Sequence, residues 1–148
     1  MKRILFILLL TIPFIGFGQT EYVKKYHKNG QLQSEGKYKK GIKDGLWKLY
    51  YKNGQLYSEG TYKDRKKNGL WKKYYENGQL ESEINFKDGK YEGQWKWYYV
   101  NGNIKKEGNF KDGKNEGLWK SYYQNGQLKS EENYKDGRVI SQKYWDEK

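Results

Sequence analysis

The chain has 148 residues, which suits one domain or a short array of repeats. It carries 30 basic against 18 acidic residues and has no cysteine, so disulfides, thiol catalysis, thiolate metal sites and a lipid-modified leader are excluded. Mean hydropathy is low at −1.26, yet 18% of the residues are aromatic, and disordered segments are poor in aromatics. We therefore expect a folded chain whose buried surface comes from tyrosine and tryptophan.

The first 18 residues have the three parts of a secretory signal peptide. Lys2 and Arg3 are followed by an apolar run over 4–15, and small residues in Gly16-Phe17-Gly18 predict cleavage before Gln19. An uncleaved anchor is the alternative, but the apolar run is shorter than the roughly 20 residues of a spanning helix. We predict a signal peptide at 1–18, a repeat array at 19–148, and an exported protein that is periplasmic, envelope-associated or secreted.

A period of 24 residues runs through the rest of the chain. Asn-Gly recurs at 29–30, 53–54, 77–78, 101–102 and 125–126. Tryptophan follows the same step at Trp47, Trp71, Trp95 and Trp119, and glutamate at Glu35, Glu59, Glu83, Glu107 and Glu131. Such a fixed period indicates tandem copies of one supersecondary unit.

Asn-Gly between alternating segments predicts a β-hairpin with a two-residue type I′ turn, in which both turn residues have positive φ. With such a turn at 53–54, Lys48 lies opposite Glu59, and Tyr51 lies opposite Leu56. The same rule pairs Lys24 with Glu35, Lys72 with Glu83, Lys96 with Glu107, and Lys120 with Glu131. Opposite charges in all five hairpins favour this register.

The same register places large rings opposite glycine, as for Trp47 with Gly60 and for Tyr62 with Gly45. We interpret both glycine positions as sites where a ring covers the backbone, and we expect the four repeat tryptophans to be buried structural residues. Ile84 and Glu132 replace glycine opposite Trp71 and Trp119. The isoleucine adds apolar area; the glutamate has no explanation at this level.

Segments such as Lys87-Asp88-Gly89-Lys90 join the hairpins with good turn chemistry. The fold class is therefore all-β, an elongated antiparallel meander of ten or eleven strands built from β-hairpin repeats. Units such as Gly69 to Glu83, reading GLWKKYYENGQLESE, resemble the bacterial variant of the MORN repeat over essentially the whole mature chain. That resemblance implies a scaffold; bacterial proteins of this kind are often grouped with antitoxin or immunity proteins.

Catalysis and cofactors find little support in the sequence. The single histidine, His27, stands where the second repeat has Tyr51, which favours a strand-face substitution over a general base. Aspartate recurs at 64, 88, 112 and 136, but equivalent positions two strands apart are about 9–10 Å from each other. Calcium ligands lie at about 2.3–2.6 Å, so we predict turn formation and neither a metal nor a cofactor.

The most interesting predicted surface carries one tyrosine and one lysine from each repeat. Its members are Tyr26, Tyr50, Tyr74, Tyr98 and Tyr122 with Lys48, Lys72, Lys96 and Lys120. Such a surface could anchor a partner through its rings, while the alternative is that the tyrosines only shield the strands.

We therefore expect an exported, non-enzymatic binding module. Removal of 1–18 leaves 28 basic and 18 acidic residues, and this net charge of +10 favours anionic partners. A protein or an anionic envelope component, either a glycan or a lipid headgroup, is favoured over a small molecule. The leader disfavours nucleic acid, and homo-oligomers remain open. The alternative function is an immunity or antitoxin-type protein that neutralises a toxin by direct binding.

Overall fold

A computed structural model describes residues 20–148, and the predicted signal peptide lies outside them. Eleven strands form one sheet in which every strand pairs with its neighbours in the sequence, and all pairs are antiparallel. The strands are β1 (Thr20–Tyr26), β2 (Leu32–Lys39), β3 (Ile42–Tyr50), β4 (Leu56–Lys63), β5 (Lys66–Tyr74), β6 (Leu80–Lys87), β7 (Lys90–Tyr98), β8 (Ile104–Lys111), β9 (Lys114–Tyr122), β10 (Leu128–Lys135) and β11 (Arg138–Tyr144). The predicted all-β meander is confirmed.

The predicted Asn-Gly turn type is wrong. Gly54 N donates to Tyr51 O at 3.0 Å and Tyr51 N donates to Gln55 O at 2.8 Å, so the loop has three residues. Gly54 has a φ of 86°, whereas Asn53 is not among the residues with positive φ. This is a type I turn followed by a left-handed glycine, the usual three-residue hairpin loop. The side chain of Asn53 stabilises the turn, because its Oδ1 accepts a hydrogen bond from Gln55 N at 2.9 Å.

The type I′ turns lie instead between the repeats. Asp88 and Gly89 have φ values of 51° and 83°, and Lys87 pairs directly with Lys90 across them. Asp64-Arg65 keeps the same geometry without glycine, with φ values of 49° and 68°. Arginine therefore accepts a left-handed conformation that glycine adopts without strain.

A bulge near each Asn-Gly turn changes which side chains face each other. Leu56 pairs with Tyr50, not with Tyr51 as predicted, while Leu49 pairs with Ser58. Tyr57 is the extra residue between these pairs. It packs against Tyr51 with ring centroids 4.9 Å apart, on the same face as the tryptophans. The extra loop residue and the extra strand residue compensate, so all five Lys–Glu pairs occur as predicted.

The core lies on one face of the sheet, which we call the tryptophan face. Trp47, Trp71 and Trp119 are its buried apolar side chains, with exposures of 2%, 4% and 2%. Edge-to-face and tilted contacts link the rings of successive repeats, for example Tyr38 with Trp47 and Tyr62 with Trp71 at centroid distances of 5.0 and 5.1 Å. Such pairs add about 0.5–1.5 kcal/mol each beyond burial.

The two glycine positions of each repeat have different causes. A Cβ added at Gly60 would overlap the ring of Trp71 on the next strand, so the indole needs a bare backbone there. Gly69 has open space around a hypothetical Cβ, but its φ is 71°, at a point where the register between β4 and β5 shifts. The first glycine permits close approach and the second permits a bulge; the prediction that rings explain both is wrong.

Trp95 departs from the expected burial. The glycine that lies beneath the other three indoles is replaced on β6 by Ile84, which pairs directly with Trp95. Trp95 is only half-buried and tilts toward Trp97 and Trp119, at centroid distances of 6.0 and 5.5 Å. Ile84 therefore adds apolar contact to Trp71 on β5 and displaces the indole of Trp95 on β7.

Candidate functional site

Lysine and glutamate alternate across the full width of the sheet. Glu59 pairs with Lys48 on one neighbouring strand and with Lys72 on the other, and the same holds in every repeat. The complete row, which we call the charge ladder, is Lys24, Glu35, Lys48, Glu59, Lys72, Glu83, Lys96, Glu107, Lys120, Glu131 and Lys143. Lys143 follows Lys120 by 23 residues, because the last hairpin is one residue shorter at this row.

Three pairs of the charge ladder form partly hydrated ion pairs: Lys24–Glu35, Lys72–Glu83 and Lys120–Glu131. Nζ of Lys72 lies 3.5 Å from Glu83 Oε1, and Nζ of Lys120 lies 3.4 Å from Glu131 Oε1. Exposed pairs of this kind contribute at most about 1 kcal/mol each. Their larger effect is on register, because a shifted strand would lose its opposite-charge partners on both sides at once.

The predicted tyrosines share the face of the charge ladder, and four of them are bonded to it. Tyr50 donates to Glu35 Oε1 at 2.6 Å and Tyr74 donates to Glu59 Oε1 at 2.9 Å. Tyr98 and Tyr122 repeat the bond at 3.2 and 2.8 Å. Tyr26, on the first strand, is 59% exposed. We call this side of the sheet the ladder face.

Burial and these bonds raise the pKa of the four tyrosines, and the bonds lower the pKa of Glu35. Burial and then the bond to a glutamate raise the pKa of Tyr74 and Tyr122 to about 12. The hydroxyls of Tyr50 and Tyr22 lower the pKa of Glu35 below its ordinary value. Each of the four tyrosines is therefore a donor to a glutamate of the charge ladder, and each of these glutamates lies opposite lysines on both neighbouring strands. Sequence reasoning placed the tyrosines and the charged residues on one face but did not predict the hydrogen bonds between the tyrosines and the glutamates.

An exposed leucine row, which sequence reasoning missed, borders the charge ladder. Leu46, Leu70 and Leu118 are 53%, 46% and 45% exposed, and Gln94 takes the equivalent place on β7. Their cross-strand partners are small and polar: Thr61, Asn85 and Asn133. These leucines recur at the 24-residue step, each two positions before a lysine of the charge ladder and therefore on the same face of its strand. That recurrence was the signal available in the sequence.

A second set of tyrosines ties each repeat to the next. Tyr51 donates to Tyr74 O at 2.8 Å, and Tyr75, Tyr99 and Tyr123 make the same bond to the carbonyl 22 or 23 residues later. His27 replaces this tyrosine in the first repeat, with Nε2 3.0 Å from Tyr50 O. Because a carbonyl only accepts, Nε2 carries the proton. This contact gives His27 a structural role in the place where a general base was weighed.

Within residues 20–148, no cluster of three or more His, Asp or Glu side chains is arranged to hold a metal ion. Over the same span, no helix has the length and apolar character that crossing a membrane would require. The recurrent aspartates sit in the type I′ turns, with positive φ at Asp64, Asp88, Asp112 and Asp136.

The fold and the site together define a β-hairpin repeat protein with one aromatic core face and one charged face. Its repeats match the MORN repeat variant in five segments, at residues 22–40, 43–64, 67–88, 91–112 and 115–136. These segments span well over half of the sequence, so the chain belongs to the MORN repeat variant family. No curated protein matches the chain. MORN repeats are in general a non-catalytic repeat type, and membership indicates a repeat-based binding module.

Proposed function

We propose that the chain is an exported binding module that holds a protein partner against its ladder face. The observation that carries the proposal is the exposed leucine row. Single exposed leucines are ordinary, but Leu46, Leu70 and Leu118 occupy one repeat position on one face. Folding gives no reason to leave three equivalent leucines in water, whereas a row of apolar side chains beside a rim of paired charges is how a protein interface is composed.

The ladder face also supplies rigidity. Tyr50, Tyr74, Tyr98 and Tyr122 are held by carboxylates, so their rings have little rotamer freedom left to lose on binding. The charge ladder is close to neutral in itself, which favours a partner with mixed polar and apolar groups at this face.

The test is photo-crosslinking and affinity capture from an envelope extract of the source cells. Bait proteins are the wild type and L46Q/L70Q/L118Q, which introduces the residue that Gln94 already places in the fourth hairpin. V100Q/V139Q/I140Q is the matched control, since it removes three exposed apolar side chains elsewhere. We expect the wild type and the control to capture the same protein and the leucine variant to lose it, with equal melting temperatures. Equal capture by the leucine variant would contradict the proposal.

The same experiment separates the immunity alternative. A captured toxin whose activity the chain blocks would assign the immunity function to the ladder face. Export is tested by N-terminal sequencing of protein from an exporting host, which should begin at Gln19. Intact Met1 on soluble cytoplasmic protein would overturn it.

A further inference from the structure

The positive charge of the protein is concentrated at one set of strand ends. In a meander the turns alternate between the two ends of the strands, and the five type I′ turns with their flanking residues form a row at one of these ends. We call these segments the basic edge: 39–42, 63–66, 87–90, 111–114 and 135–138. They hold eleven basic side chains against four aspartates, whereas the three-residue Asn-Gly loops at the other end of the strands hold two lysines and one glutamate.

Lysines of the basic edge face one another, which distinguishes them from those of the charge ladder. Lys63 pairs with Lys66 across its turn, Lys87 with Lys90, Lys111 with Lys114, and Lys135 with Arg138. Like charges directly opposite each other on neighbouring strands destabilise a sheet. None of the ion pairs of residues 20–148 compensates them, because every salt bridge joins residues outside these segments.

Two glutamates beside the basic edge are engaged with backbone. Glu92 accepts from Asp112 N at 2.9 Å and Glu116 accepts from Asp136 N at 3.0 Å. Two lysine stems lie against the next turn: a Cβ built on Gly89 would be 3.4 Å from Cβ of Lys66, and one built on Gly137 would be 3.5 Å from Cβ of Lys114. Four opposed basic pairs are thus held in a line at a cost to folding, which an anionic ligand would offset.

We infer that the basic edge binds a linear acidic polysaccharide that lies along the turns. Successive basic pairs are two strands apart, about 9–10 Å. An extended sugar unit is about as long as one strand spacing, so a polymer with one carboxylate per disaccharide presents its charges at the same interval. A polypeptide or a nucleic acid places its charges more densely. A flat membrane presents its charges in two dimensions, whereas the opposed pairs of the basic edge form a single row.

The test uses hyaluronan oligosaccharides, which carry one carboxylate per disaccharide, and neutral dextran as a blank. K66Q/K90Q/K114Q neutralises one member of three opposed pairs and keeps the Cβ and Cγ methylenes, which at 66 and 114 lie against the next turn. K48Q/K72Q/K96Q removes the same number of charges from the charge ladder and is the matched control. By calorimetry at low salt we expect the edge variant to bind at least about tenfold more weakly and the control to stay within about twofold.

The two variants should also differ in stability. The edge variant relieves repulsion, so its melting temperature should equal or exceed that of the wild type, whereas the control leaves glutamates unpaired and should melt lower. Equal loss of binding in both variants would show attraction by net charge alone and overturn the inference. So would equal or tighter binding of single-stranded DNA or anionic vesicles at the same charge concentration, or no binding of hyaluronan. L46Q/L70Q/L118Q should retain the polysaccharide, which keeps this result independent of the ladder-face proposal.

Discussion

The indole of Trp71 lies flat against Gly60 on the preceding strand, and its Nε1 donates to Thr61 O at 3.1 Å. Trp47 and Trp119 make the same bond, to Lys37 O and Asn109 O at 3.1 Å. These three repeats therefore secure their tryptophans on the backbone of the hairpin before them, and Trp95, above Ile84, is the exception. A contact of this kind cannot form in an isolated unit, which is why such arrays gain stability from their neighbours.

The first prediction separates the two glycine positions. Gly60→Ala places a methyl group inside the ring of Trp71, and we expect a loss of about 1–3 kcal/mol, as for overpacked cores. Gly69→Ala has free space but a φ of 71°, which costs about 1–2 kcal/mol. Asparagine tolerates that φ, so Gly69→Asn should recover part of the loss while Gly60→Asn should not. Urea unfolding of the four variants measures this. A better fit of asparagine at 60 than at 69 would reverse the two assignments.

The second prediction concerns the tryptophans. Trp71→Ala removes a ring that is 4% exposed and should cost about 3–5 kcal/mol. Trp95 is half-buried above Ile84, so Trp95→Ala should cost clearly less than Trp71→Ala under the same conditions. Tyr98→Phe, which keeps the ring and loses one bond to Glu83, should cost about 1 kcal/mol. Thermal melts rank the three variants, and a Trp95 variant as unstable as the Trp71 variant would contradict the ranking.

The third prediction uses the charge ladder. Glu83→Lys places a lysine between Lys72 and Lys96 and should destabilise by about 1 kcal/mol. Adding Lys72→Glu restores one contact, but it leaves the introduced lysine beside Lys96 and the introduced glutamate beside Glu59. We therefore expect only partial recovery in the double mutant, measured as a coupling energy in a double-mutant cycle.

The control for this cycle is the pair Lys73–Glu81, on the tryptophan face at 2.7 Å. It belongs to no row of alternating charges, so reversing both residues should restore most of the loss. Equal recovery at both sites would mean that the charge ladder acts as separate pairs.

The fourth prediction is a loss of stability in alkali. Tyr74 and Tyr122 have a pKa of about 12 in the folded protein against an ordinary value of 10.0. A raised folded-state pKa contributes stability that is complete below pH 10 and is lost as the pH rises toward 12. Y74F/Y122F should lose less stability over this window than the wild type, although lysine deprotonation will weaken both. Superimposable pH profiles of the melting temperatures would contradict the role assigned to these hydroxyls.

The sequence alone predicts the sheet, its order and its pairing, because five Lys–Glu pairs fix one register. It does not predict the turn type. The same residues pair beyond Tyr57 in two cases: with a two-residue loop at Asn53-Gly54, or with a three-residue loop followed by a bulge at Tyr57. The difference matters locally: it moves Tyr57, Glu81 and Lys105 to the tryptophan face, where Lys105 Nζ lies 3.8 Å from the ring centroid of Trp97.

The candidate site was only partly predictable for a similar reason. Alternation correctly placed the tyrosines with the lysines. Their bonds run to glutamates of the preceding repeat, across a strand pair that an argument from single hairpins does not consider, as for Tyr74 with Glu59. The opposed lysines of the basic edge follow from pairing between hairpins too, whereas the leucine row lies within hairpins and had a signal in the period of 24 residues.

The charge ladder begins with Lys24 on β1 and ends with Lys143 on β11, so both outermost strands carry the same sign in that row. Suppose two molecules met edge to edge with their rows aligned: first strand to last, first to first, or last to last. Each meeting would set lysine against lysine. Lysine on an outer strand is a common protection against unwanted strand pairing. Strands β1 and β11 can thus stay exposed to solvent without pairing with other copies of the chain to form a fibre.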